Sequence, residues 1–364
     1  MRSASITIVL VWLLPALAVA QPAHELPRPA DPARLAAEAL VLHVTASSRN
    51  FVAVGERGHV LRSDDGRNWS QADFVPVQAT LTRVNYADGH LWAVGHDSTI
   101  IHSYDFGQTW SLQHFDPDLE MPLLDVHFFD RQRGFALGAY GLFMQTEDGG
   151  RNWELLDMAD LVTSEAIDWE DAAAQATAED EFGPDEFSED LYEDWDDDEF
   201  YDATMDFDRG CYEFMECHLN AFLELADGRQ MIAAERGYGF RSVDGGETWE
   251  AFRFPYPGSM FGLIEFGEGG ILAFGLRGHV QRSDDFGDSW EILDTGLQST
   301  LKGATLDEAG RPFMVGSGAA RLRYDPAAGD FRLEEDRLGS DYVSVLITSG
   351  GTVVLAGADG LSHE

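Results

Sequence analysis

The chain has 364 residues, with 24 basic against 65 acidic side chains and only two cysteines. A field that negative repels a phosphate backbone and an anionic lipid surface, so nucleic acid and direct lipid contact are disfavoured as partners. A length that ordinarily means two or three domains also suits one closed ring of repeats, so repeats are sought before domains are counted.

The first twenty residues read as an export signal: Arg2, an apolar run from Ile6 to Leu17, then Ala18-Val19-Ala20, the small residues a signal peptidase requires. Cleavage after Ala20 would place the product in the periplasm or outside the cell. Gln21 and not a cysteine stands directly after that point, so a lipid anchor is not expected, and no later stretch is long and apolar enough to span a bilayer as a helix. Residues 21–40 are expected to close the last repeat, with the strand taken from His24 to Arg28 or just beyond.

From residue 41 one pattern recurs: an apolar strand ending in Gly, a tight turn, a second strand, and then Ser/Thr-x-Asp-(x)-Gly-x-x-Trp. The copies are Ser63, Asp65, Gly66, Trp69; Ser103, Asp105, Gly107, Trp110; Thr146, Asp148, Gly150, Trp153; Ser242, Asp244, Gly246, Trp249; and Ser283, Asp285, Gly287, Trp290. The hydroxyl and carboxylate can bond backbone amides inside the turn, Gly takes a conformation that a Cβ penalises, and Trp packs between sheets. This is the Asp box of propeller blades, and its Asp residues read as structural. Two degenerate copies follow, one ending at Tyr324-Asp325 and Gly329-Asp330-Phe331, the other stopping at Gly360-Leu361 without an outer strand. Counting Gly-ended strands gives seven units, with Ala234 replacing Gly in the fourth. The predicted fold is all-β, a seven-bladed β-propeller of four-stranded blades, with blades 1–3 over 41–156 and blades 4–7 over 217–364.

The period breaks once, over residues 157–216, which hold 24 acidic residues and one basic residue, Arg209. Such charge is usual in disordered segments, but Trp169, Phe182, Phe187, Tyr192, Trp195, Phe200, Tyr201 and Phe207 are interleaved with it, so the insertion reads as a docking segment. Cys211 and Cys217 are a candidate disulfide at its end.

Alternating strands put the Asp boxes on one face, with the second-to-third strand turns and the blade-to-blade loops on the other. Three of those turns read Glu56-Arg57-Gly58, Glu235-Arg236-Gly237 and Leu276-Arg277-Gly278, and the equivalents in blades 2 and 3 carry His96 and Tyr140. Arg57, Arg236, Arg277, His96 and Tyr140 are therefore the candidate partner-binding residues, on the face from which the acidic insertion is also expected to emerge. Arg62, Arg241 and Arg282, each just before a box Ser, are expected to pair with box carboxylates.

The rival reading is a sialidase-like glycoside hydrolase or glycan-binding propeller. Phe252-Arg253-Phe254-Pro255 is like the sialidase Phe-Arg-Ile-Pro motif, but follows the fourth box instead of preceding the first, and no carboxyl pair stands out from the acidic background. No catalytic residue, cofactor or metal is assigned. Asp194, Asp196 and Asp198 begin a calcium-loop spacing, but Glu199 occupies the Gly position and Met205 that of the closing Glu.

The units Arg62-Ser63-Asp64-Asp65-Gly66-Arg67-Asn68-Trp69 and Arg241-Ser242-Val243-Asp244-Gly245-Gly246-Glu247-Thr248-Trp249 resemble those of the photosystem II assembly and stability factor family over nearly all of the chain after the leader. That resemblance implies a non-catalytic platform for a membrane-protein or envelope complex, a transporter among the candidates, with Arg57, Arg236 and Arg277 at the positions of an arginine patch; the chain is separately expected to be monomeric.

Overall fold

The computed structural model describes residues 26–163, 217–334 and 340–364. The leader, and residues 164–216 of the acidic insertion with Asp194, Asp196, Asp198 and Cys211 among them, lie outside the described residues. No helix among those described is long and apolar enough to cross a membrane.

Seven antiparallel sheets, each built from consecutive strands, form the ring. Their first strands are Val41–Ala46, Leu81–Ala87, Leu123–Phe128, Leu219–Glu224, Met260–Phe266, Leu301–Leu306 and Tyr342–Ile347, and each neighbours the next round the axis, blade 7 meeting blade 1. The second strands, such as Phe51–Gly55 and Gln230–Ala234, are buried almost throughout, because both of their faces are covered by adjacent blades. The core is accordingly divided into seven layers, one per seam between blades, as where Phe135, Phe143, Trp249 and Phe222 join blades 3 and 4.

Five turns share one hydrogen-bond pattern. Ser63 Oγ accepts from Gly66 N and donates to Asp65 Oδ1, whose carboxylate accepts from Arg67 N and Asn68 N. The turns at Ser103, Thr146, Ser242 and Ser283 repeat it with one more residue inside. The glycine ending each contact has φ between 71° and 91°, a left-handed conformation that a Cβ makes costly. Trp69, Trp110, Trp153, Trp249 and Trp290 pack in the seam with the preceding blade. In blade 6, Phe331 fills that place.

Every first strand also carries a register shift one residue after its start. The extra residues, Leu42, Thr82, Leu124, Asn220, Phe261, Lys302 and Val343, thus form one ring at the axis. The residues just after them stitch seams: Ser344 Oγ accepts from Val44 N, His43 Nδ1 from Val84 N, and Asp125 Oδ2 from Phe222 N.

The last blade has three strands among the described residues, and the segment before residue 41 adds none. Residues 29–33 instead hydrogen-bond to blade 1, through Ala30 N to Val75 O and Ala33 N to Gln71 Oε1. A single turn, Ala36–Glu38, packs against the final strand Gly360–His363. The part of the expected closing strand that is described, from Leu26 onward, therefore covers an edge by packing and forms no ladder.

Candidate partner-binding face

The second-to-third strand turns are built alike. Arg57, Tyr140, Arg236 and Arg277 occupy the same apical place, with φ of 54°, 53°, 56° and 54°, followed by a glycine that is also left-handed. In blade 2 that place belongs to Asp97 (φ 57°), and His96 stands one residue earlier, level with Glu56, Ala139, Glu235 and Leu276. His96 is exposed on the same face but is not the counterpart of the arginines, a one-residue register that the glycine-free His96-Asp97-Ser98 turn conceals. Ser98 takes the glycine's place, its hydroxyl donating to Met121 O.

The backbone below these apices is held by the blade-to-blade connections: below Arg57, Gly58 N donates to Ala79 O, and below Tyr140, Gly141 N donates to Cys217 O. Arg57, Arg236 and Arg277 are exposed, and among the described residues their side chains make no hydrogen bond or ion pair. By contrast, Arg83, Arg133, Arg229, Arg241, Arg282, Arg311, Arg321, Arg323 and Arg332 each sit on a carboxylate. Arg236 and Arg277 belong to adjacent blades, and Arg57 lies across the ring, three blades from either.

The surroundings are aromatic. Tyr140 packs on His218, centroids 4.9 Å apart, and His218 Nδ1 lies 2.7 Å from Glu235 Oε2. Tyr256 stacks on His279 at 3.6 Å beside Arg277, in a groove of about 540 Å³ walled by Pro257, Leu293 and Leu297. Burial pushes the Tyr256 hydroxyl up from its ordinary value, against the pull of Arg277. Burial likewise lowers His59, the counterpart of His279 in blade 1.

Arg62 and Arg241 bind the next blade's box: Arg62 Nε donates to Phe106 O, and Arg241 reaches Phe286 O and Asp288 as well as Glu250. They tie blades together, whereas Arg282 binds Asp284 beside its own box serine. Their expected pairing with box carboxylates is thus replaced by contacts with box carbonyls and flanking acids.

The insertion leaves by an unexpected route. Asp157 caps the single helical turn Met158–Leu161, and Val162 then bridges Trp249, with Thr163 N donating to Trp249 O, at the Asp-box end of blade 4. It returns at Cys217, on the arginine face. The described flanks therefore sit at opposite faces, where both were expected on one. Cys217 is buried and disulfide-bonded.

An axial cavity of about 190 Å³ is lined by His43, Thr45, Arg83, Lys302, Thr305, Ser344 and apolar side chains. No carboxylate is among the described residues that line it. Arg253 lies elsewhere, over the Tyr238 ring at 3.8 Å and bonded to the Arg236 carbonyl, with Phe252 and Phe254 in the seam against Trp290. No group of three or more candidate metal ligands occurs among the described residues. The sequence reading missed Arg83, Lys302 and His43.

No family model matches the chain. The photosystem II assembly lipoprotein Ycf48 of Prochlorococcus marinus (strain MIT 9312) is 29% identical over 130 aligned positions, covering 29% of this chain and 37% of that protein. The match thus spans little more than a third of that relative's length. Among solved structures, YCF48 bound to a D1 peptide superposes with a TM-score of 0.62 at 16% identity, over 93% of this chain and 98% of the other. YCF48 from Cyanidioschyzon merolae gives 0.62 at 16%, over 89% and 94%. Streptogramin B lyase gives 0.65 at 9%, over 90% and 93%, so the fold is shared with an enzyme too. With the ring of seven blades and that stretch of sequence together, the chain resembles the photosystem II assembly factor-like propellers.

Proposed function

We propose that this protein is a non-catalytic, exported assembly or accessory factor that holds a protein of a membrane or envelope complex against its arginine face. One observation carries the reading: in a chain with 65 acidic residues, Arg57, Arg236 and Arg277 are held at equivalent exposed apices without a carboxylate partner among the described residues. A guanidinium so placed is free to bind carboxylates of a partner in bidentate fashion, and the groove between Tyr256 and Leu297 offers apolar contact beside it. The resemblance to Ycf48 supports a role in assembly. The partner's identity, the export and a monomeric state belong to this proposal.

The test is capture from a detergent-solubilised membrane fraction with the tagged full chain and with Arg57→Ala/Arg236→Ala/Arg277→Ala. Specific capture of one envelope complex by the wild type, lost in the triple variant, is expected. Equal capture by both would remove the arginines from the interface, and no capture by either would remove the platform reading.

A further inference from the structure

The axial cavity has a composition that the partner-binding reading does not use. Five of the seven extra residues line its mouth: Leu42, Phe261 and Val343 are apolar, Thr82 carries a hydroxyl, and Lys302 is the one lysine in the chain. Arg83 follows Thr82 and lines both the mouth and the cavity. Two cations from blades 2 and 6 thus share one apolar-walled hollow, in a molecule of net charge −41. Each has one carboxylate: Asp125 lies 3.0 Å from Arg83 Nε and Asp341 lies 3.8 Å from Lys302 Nζ. Both cations keep about a third of their side-chain surface exposed, 35% for each. The Nη atoms of Arg83 and the remaining protons of Lys302 are therefore available to a further acceptor.

The rest of the lining donates too. His43 is partly buried, and burial with the adjacent Arg83 charge holds it well below its ordinary pKa. Its Nδ1 accepts from Val84 N, which leaves the proton on Nε2. Ser344 Oγ accepts from Val44 N and so keeps its own hydrogen to give. Hydrogen-bond donors thus predominate, and Leu263, Val345 and Leu346 supply apolar wall. The space of about 190 Å³ is below the ~300–1,000 Å³ that takes drug-sized ligands, which limits the occupant to a few heavy atoms.

We propose that the axial cavity is a binding site for a short-chain carboxylate, its carboxylate group between Arg83 and Lys302 and its alkyl part against Phe261 and Leu263. This does not depend on the partner-binding reading.

Calorimetric titration of the full chain in a buffer low in chloride tests it, with butyrate, uncharged butyramide and inorganic phosphate as probes. Saturable one-to-one binding of butyrate is expected, with no binding of butyramide and a loss of about tenfold or more in Lys302→Met, the effect of removing one charge-assisted contact. Lys302→Arg retains the charge and should bind, which separates the site from a folding defect. Absence of butyrate binding to the wild type, equal binding by Lys302→Met, or equal binding of butyramide would overturn the proposal. Phosphate binding in place of butyrate would also overturn it, by making the hollow an inorganic-anion site.

Discussion

Ser242 shows how much one side chain can settle. Its Oγ, buried like the Gly246 amide, accepts from Gly246 N at 2.9 Å and donates to the exposed Asp244 Oδ1 at 2.8 Å. The hydroxyl of Thr248 then leads the bonds that draw the Asp244 carboxyl down to about 2. Ser242→Ala leaves the Gly246 amide without a partner and should cost about 1–3 kcal/mol, read as a shift of the urea midpoint at constant slope. Ser242→Thr, the residue that blade 3 carries at Thr146, should recover most of it. The box was legible in the sequence because its donors and acceptors lie within a few residues of one another. Arg83, Lys302 and His43 were not, since each comes from a different blade and nothing in the neighbouring sequence singles it out. They meet only because the first strands of blades 2, 6 and 1 all face one axis. His96 was misplaced because Asp97 and Ser98 adopt left-handed conformations, with φ of 57° and 47°, that sequence reasoning reserves for glycine.

The repeating element was visible as a strand ending in glycine, but the reason for the glycine was not. A Cβ built on Gly275 would lie 2.2 Å from Ser259 O, and the same approach recurs at Gly55, Gly95, Gly138, Gly316 and Gly357. The carbonyl in question accepts from the amide of the residue after the glycine, as Ser259 O does from Leu276 N at 3.1 Å, so the second strand is clamped to the entry of the first where its register shifts. Backbone conformation is not the cause, because Gly275 is near-extended, with φ of −172°. Blade 4 has Ala234 there, and its corresponding bond, Glu235 N to His218 O, is 3.2 Å, the longest of the set. Gly275→Ala should therefore destabilise by about 1–3 kcal/mol, the usual range for overpacking, whereas Ala234→Gly should cost no more than about 1 kcal/mol. Thermal unfolding of the two variants measures the contrast, and equal losses would show that the clamp does not set the preference.

At the scale of the whole ring, five histidines sit below their ordinary pKa, chiefly through burial: His43, His59, His90, His114 and His102, the last at about 4. In each case the unfolded chain takes up a proton before the folded one does, so stability is full above the unfolded value of 6.5 and falls as pH drops from there toward about 4. The Asp-box carboxyls are also lowered, but from 3.8, so their contribution is lost only in stronger acid. The melting temperature should already decline between pH 6.5 and about 5, above the range in which carboxylates titrate, and a flat profile over that range would show that the histidines are protonated without cost. The number of blades could be counted from sequence, but the seam could not be foreseen, because the edge is covered by the turn at Ala36–Glu38 instead of a strand. That seam has a kinetic side. Within each blade the pairings join neighbouring segments and can form quickly, but Val44 N and Ser344 Oγ are 300 residues apart, as are the two blades they join. Joining them carries the full loop-closure entropy of the chain, so the last blade to be synthesised is also the one that completes the first. His43 and Ser344 face each other across that join, and the axial hollow therefore comes into being only with the final step of folding.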